Sequence, residues 1–130
     1  MAAFIDDSVL DALLQLIEDD GNRFVICSAQ PTNYAQANNN PGSSGYRLGY
    51  KDSITYTGPQ DRTSPAGREL QVDAISSGAV DYSGTATHWA IIDTTGSVLL
   101  VTHSLSSSVA VSSGGTFDTA AFEIYVADPS

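Results

Sequence analysis

The residues whose type and spacing come nearest to chemistry are the two histidines, His88 and His103. They stand towards the ends of T-A-T-H-W-A-I-I-D-T-T-G-S-V-L-L-V-T-H-S-L (residues 85–105). Two runs rich in Val, Ile, Thr and Trp flank the turn formers Asp93-Thr94-Thr95-Gly96-Ser97 there, the local signature of an antiparallel hairpin. If Thr94, Thr95, Gly96 and Ser97 form a loop closed by Asp93 and Val98, His88 and His103 lie directly opposite each other, and opposed side chains share a face. Two imidazoles on one face begin a metal site. A third ligand is not supplied, because Asp93, five residues on in the strand, points to the other face. The expectation is therefore no metal, and a polar or aromatic cross-strand pair that stabilises the sheet.

Other chemistry has less to stand on. The serines crowd into Ser-Gly-rich turns such as Ser106-Ser107-Ser108 and Ser112-Ser113, without a G-x-S-x-G elbow at a strand-to-helix bend. The fifteen acids are scattered over helix ends and strand edges, whereas paired carboxylate catalysis needs two aimed into one cleft. There is no P-loop or dinucleotide fingerprint, and residues 118–123 lack the alternating acids and central glycine of a calcium loop. Cys27 sits in the apolar run Phe24-Val25-Ile26-Cys27 with no Lys, Arg or His beside it in sequence, so it reads as core and not as a reactive thiol. Tyr34, Tyr46, Tyr50, Tyr56 and Trp89 could line a sugar platform, although Trp89 inside an apolar strand reads as core. The expectation is a protein that is not an enzyme, with no catalytic residue and no cofactor.

The elements that must position these residues can be read from periodicity. Val9, Leu10, Leu13, Leu14 and Ile17 make one stripe of a helix over 8–20, capped by Asp7 or Ser8 and stopped by Gly21 in the left-handed conformation. Residues 23–29 form a first strand, and residues 32–37 one helical turn capped by Thr32 or Asn33. Long loops are expected over 30–46 and 57–67, the latter because two prolines and two glycines fall within ten residues. Between them, residues 47–57 alternate well enough for one or two strands, and 68–127 is a regular β region with turn signals about every ten residues. The fold class is thus mainly β: a single domain over 1–130, an antiparallel β-sandwich or barrel-like arrangement with one N-terminal α-helix. The 85–105 hairpin, apolar on nearly every residue around Ile91 and Leu99, reads as the middle of a sheet. Trp89, Ile91, Leu99 and Val101 should be buried, with Leu13 and Leu14 packing the helix on the sheet.

The formal net charge is −10, with an isoelectric point near 4.1, which argues against nucleic acid and anionic membrane surfaces as partners. The lone cysteine permits no internal disulfide and suits a reducing cytoplasm. No apolar run reaches the roughly 20 residues of a membrane span, and the N-terminus has no signal-like basic region, so a soluble, unprocessed chain is expected. The charge is uneven. Arg47, Lys51, Arg62 and Arg68 lie between positions 47 and 68, where the acids are Asp52 and Asp61. Residues 1–22 carry six acids and no base, and residues 69–130 seven acids and no base. Either these four cations pair with carboxylates of their own chain, or they form an electropositive island that docks on an acidic partner.

The order of R-F-V-I-C-S-A-Q-P-T-N-Y (residues 23–34), G-T-A-T-H-W-A-I-I-D (84–93), L-L-V-T-H-S-L (99–105) and V-S-S-G-G-T-F-D-T-A-A-F-E-I-Y-V-A-D-P (111–129) resembles a group of small structural proteins of tailed bacteriophages. The similarity extends over most of the chain and is weakest over 38–67. It implies a non-enzymatic virion protein made in the bacterial cytoplasm, of the type that decorates or cements the capsid. Its partners would be the major capsid protein or other virion proteins, with the chain present as a homo-oligomer or as lattice-bound copies. A tail, tail-tip or fibre component with glycan or receptor binding is the alternative.

Overall fold

In the strand Arg68-Glu69-Leu70-Gln71-Val72, Leu70 and Val72 are fully buried while Glu69 and Gln71 are not, the alternation of a strand with one face against a core. The same logic builds the whole chain, for which a computed structural model describes residues 5–128. The elements are α1 (Asp7–Asp20), β1 (Arg23–Cys27), α2 (Tyr34–Asn38), a 3-10 turn (Pro41–Ser43), β2 (Arg47–Asp52), β3 (Tyr56–Thr63) and β4 (Ala66–Val72), then β5 (Ile75–Val80), β6 (Gly84–Asp93), β7 (Val98–Val111), β8 (Thr116–Thr119) and β9 (Phe122–Ala127). The strands form a six-stranded sheet, order β7-β6-β1-β2-β5-β8, and a three-stranded sheet, order β3-β4-β9, with antiparallel pairing throughout. One of the two sheets curls into a half-barrel, and the chain is mainly β with one N-terminal helix, as its periodicity predicts.

Between the sheets lie Phe24, Ile26, Leu48, Val72, Ile75, Ala86 and Ile91. A second cluster, Val25, Cys27, Ala37, Ala90 and Ile92, covers the other face of β1 and β6 beneath α2. Strands buried on both faces carry continuous apolar runs, which explains why Phe24-Val25-Ile26-Cys27 and Ala90-Ile91-Ile92 do not alternate.

The stretch 57–67 is not a loop: β3 and β4 are paired from Tyr56↔Val72 to Thr63↔Ala66. β3 is an edge strand, and Pro59 falls in the irregularity between Thr57 and Gln60, where a missing N–H costs no ladder bond. Pro65 lies in the hairpin turn, and the bonds before both prolines are cis. The 85–105 hairpin is not the middle of the sheet either. β6 is interior, but β7 is the edge. Ile91 is buried as expected, whereas Trp89, Leu99 and Val101 are only half-buried. Leu99→Ala should therefore cost about 1 to 2 kcal/mol, below the range for a fully buried leucine; urea titration would show a shifted midpoint with an unchanged slope.

The helix also differs in detail. Asp6, not Asp7 or Ser8, caps α1, accepting from the Ser8 amide at 2.9 Å. Leu10 and Leu14 are its buried residues, and Leu13 stands 55% exposed. Gly21 is extended (φ −76°, ψ 90°) and not left-handed, while its amide still donates to the Ile17 carbonyl at 2.8 Å. A Cβ at Gly21 would meet the Ile17 carbonyl oxygen at 2.5 Å, the Tyr56 hydroxyl at 2.6 Å and Ile91 Cγ2 at 2.7 Å, so glycine is required by close approach. The Tyr56 hydroxyl donates to the Gly21 carbonyl at 2.7 Å, seating the end of α1 on both sheets.

Candidate functional site

The histidines do not meet. Ile91 pairs with Val101 but Ile92 with Leu99, so Leu100 is an extra residue on β7, a bulge that shifts the register by one. His103 therefore opposes Trp89, and His88 opposes Ser104. A one-residue slip moves a side chain to the other face, so the imidazoles point to opposite sides of the sheet and cannot share a metal. A second, wider bulge follows: between His88↔Ser104 and Ala86↔Val109, Thr87 stands against Leu105, Ser106, Ser107 and Ser108. Thr87 donates to the Ser28 carbonyl (3.0 Å) and contacts His88 Nδ1 (2.8 Å), a local polar chain at the surface.

On its own face His103 borders a groove of about 580 Å³ lined by Trp89, Val101, Thr102, His103, Phe122, Glu123, Ile124 and Tyr125. The residues come from β6 and β7 of the large sheet and β9 of the small one. β7 and β9 are each hydrogen-bonded on one side only, so two strand edges flank the groove. Trp89 and Phe122, with ring centroids 4.8 Å apart, join the two sheets there. The Thr102 hydroxyl donates to the Trp89 carbonyl at 2.8 Å and ties β7 to β6 between the two bulges.

Chemically the groove offers an apolar lining with one imidazole and one carboxylate. His103 Nδ1 is 3.0 Å from the carbonyl of Ser104, its neighbour in the strand, and 3.4 Å from that residue's hydroxyl. Neighbouring strand residues point to opposite faces, and among the described residues no carboxylate hydrogen-bonds either histidine. The groove has room for apolar side chains, and the open edges of β7 and β9 can pair with an extended backbone.

The four cations singled out by charge are dispersed. Arg47 pairs with Asp81 at 2.7 Å, and Arg62 with Glu69 at 3.2 Å. Arg68 bridges to Asp11 of α1 at 2.7 Å and also to Asp61. Arg47 belongs to the large sheet and Arg62 and Arg68 to the small one, so the positive island of the sequence is divided between layers. Lys51 makes no ion pair among the described residues. Arg23, the remaining base, pairs with Asp52 at 2.6 Å, and the guanidinium groups of Arg23 and Arg47 stand over the Tyr50 ring at 4.5 and 4.7 Å. A cation over an aromatic face contributes about 0.5 to 2 kcal/mol, which fixes Tyr50 within the sheet surface.

The five aromatics do not share one surface. Tyr34, Tyr46 and Tyr50 pack against the cluster beneath α2, Tyr56 is tied to Gly21, and Trp89 packs between the sheets. The exposed aromatic at the groove is Tyr125, beneath the Arg62 guanidinium at 3.9 Å. Thr102, Glu123 and Tyr125 escape sequence reasoning because only the pairing of distant strands brings them to His103. The one available signal is Phe122-x-Ile124-x-Val126, whose alternation places Glu123 and Tyr125 together on the opposite face.

Cys27 is fully buried, and burial pushes its thiol up to about 12, with Arg47 a smaller opposing influence. Native protein at pH 8 should resist iodoacetamide and become alkylated within minutes in denaturant, read by mass spectrometry. Fast labelling of folded protein would show that the face beneath α2 opens.

The chain matches no protein-family model, no curated protein and no solved structure. Among the described residues, no helix is long and apolar enough to cross a membrane.

Proposed function

We propose that the protein is a non-enzymatic structural component of a bacteriophage virion, a decoration or cement protein that attaches to the head lattice. The observation that carries this reading is the groove between β7 and β9, an apolar trough between two strand edges. Such a site gains affinity from main-chain pairing and selectivity from pockets for alternate side chains. An extended arm of the major capsid protein is the occupant it suits, because a lattice presents the same arm many times. The sequence resemblance supplies the virion context, and the groove supplies the means of attachment.

Immunogold electron microscopy of particles made by the genome that encodes this chain tests the assignment. Label spread regularly over the heads is the expected result. Label confined to the tail would move the protein to the tail, and intact particles without the chain would overturn the proposal. Within it, His103→Asp combined with Glu123→Lys alters only the rim of the groove and should leave a folded protein that no longer assembles onto heads.

A further inference from the structure

The helix α1 is apolar on more of its circumference than the body of the protein covers. Leu10 and Leu14 are 1% exposed and Ile17 packs into the core, which is the stripe a surface helix needs. Beside it runs a second stripe, Ile5, Val9, Leu13 and Leu16, at spacings of four, four and three and 39, 54, 55 and 53% exposed. Single exposed hydrophobic residues carry no message. Here, however, half of the eight exposed large hydrophobics among the described residues fall within positions 5–16, Val9, Leu13 and Leu16 on one line of α1 and Ile5 just before its N-cap. A contiguous apolar stripe with polar margins marks a contact surface.

The charge around the stripe restricts what can cover it. Asp6, Asp7, Asp19 and Asp20 are exposed at the two ends of α1, and residues 1–22 contain no base. Asp11 is turned towards Arg68 and already paired, so Arg68 leaves the acids at the helix ends uncompensated. A second copy laid along α1, in either direction, would bring acidic ends against acidic ends and lose the complementarity that stable contacts require. We propose that the Val9-Leu13-Leu16 face of α1 docks a basic amphipathic helix of a partner protein, its apolar residues on the stripe and its Lys or Arg residues beside Asp19 and Asp20. This surface is separate from the groove between β7 and β9 and does not depend on the virion reading.

The probe is a fluorescein-labelled Leu/Lys amphipathic peptide of about 18 residues, some five helical turns, followed by fluorescence anisotropy. Wild-type protein should bind it saturably. The triple variant Val9→Gln, Leu13→Gln, Leu16→Gln, which changes exposed positions only, should keep the wild-type melting temperature and bind about tenfold or more weakly. Asp19→Asn with Asp20→Asn should weaken binding about threefold and reduce its salt dependence. No saturable binding by wild type, or equal binding by the triple variant, would overturn the proposal, the latter reducing it to general attraction to an acidic chain. Equal binding of a Leu/Glu peptide would remove the charge argument. A wild-type dimer in sedimentation velocity, made monomeric by the triple variant, would assign the stripe to a second copy instead.

Discussion

Replacing Phe24 by alanine is expected to lower the melting temperature by about 10 to 20 °C, the equivalent of roughly 3 to 5 kcal/mol in a chain of this size. Phe24 is 1% exposed. Its ring lies 5.9 Å from that of Trp89 and 6.1 Å from those of Phe117 and Phe122. One side chain on β1 thus touches β6 and β8 of its own sheet and β9 of the other. Its loss removes transfer free energy, leaves a void that rigid aromatic neighbours close poorly, and takes away aromatic pairs that contribute about 0.5 to 1.5 kcal/mol each. Circular dichroism melts should show the effect, with Leu99→Ala as the milder control. A fall of under about 5 °C would mean that the sheets are held together elsewhere.

Gly21→Asn should cost about 2 to 4 kcal/mol, more than Gly21→Ala. The comparison separates two reasons for a glycine after a helix. In a left-handed cap, asparagine is the best tolerated replacement. At Gly21 the backbone is extended and suits any residue, but three atoms stand within 2.7 Å of where a Cβ would be, one of them the Ile17 carbonyl. Overpacking of this kind costs about 1 to 3 kcal/mol, and displacing Tyr56 adds the loss of its hydrogen bond to the Gly21 carbonyl, about 1 kcal/mol. Chemical denaturation of the two variants beside wild type is the measurement. Asparagine tolerated better than alanine would restore the left-handed cap.

What could be read from the sequence follows from the range of the forces involved. The 3.6-residue rhythm of Leu10, Leu14 and Ile17 and the alternation of Leu70 with Val72 and of Phe122 with Ile124 are local, and α1, β4 and β9 were legible from them. Residues 57–67 were not, since proline and glycine mark a break unless an edge position and a bulge accommodate them, and only β4 supplies that context. The histidine register failed on one residue. Leu100 is as apolar as Leu99 and Val101, so nothing in the pattern shows which of the three the ladder skips. Arg68 pairs with Asp11, 57 positions away, an ion pair that composition could not place. The groove shares this origin: its walls meet only after β9 has found β4.

That last pairing has a kinetic consequence. β9 joins β4 by contacts such as Val72↔Phe122 and Gly67↔Ala127, and β1 lies between β2 and a β6 some sixty-five positions away. Chains whose native contacts span such separations fold in milliseconds to seconds, because loop closure is costly until the distant strand arrives. During synthesis, the β3–β4 hairpin and Trp89 wait without Phe122 and Ile124 until the last strand clears the ribosome. The small sheet is then a two-stranded ribbon whose β4 edge is unpaired, and two-stranded ribbons are marginal in water. Over that interval the backbone N–H and C=O groups along one side of β4 are unpaired, which leaves that edge open to a chaperone or a misplaced strand.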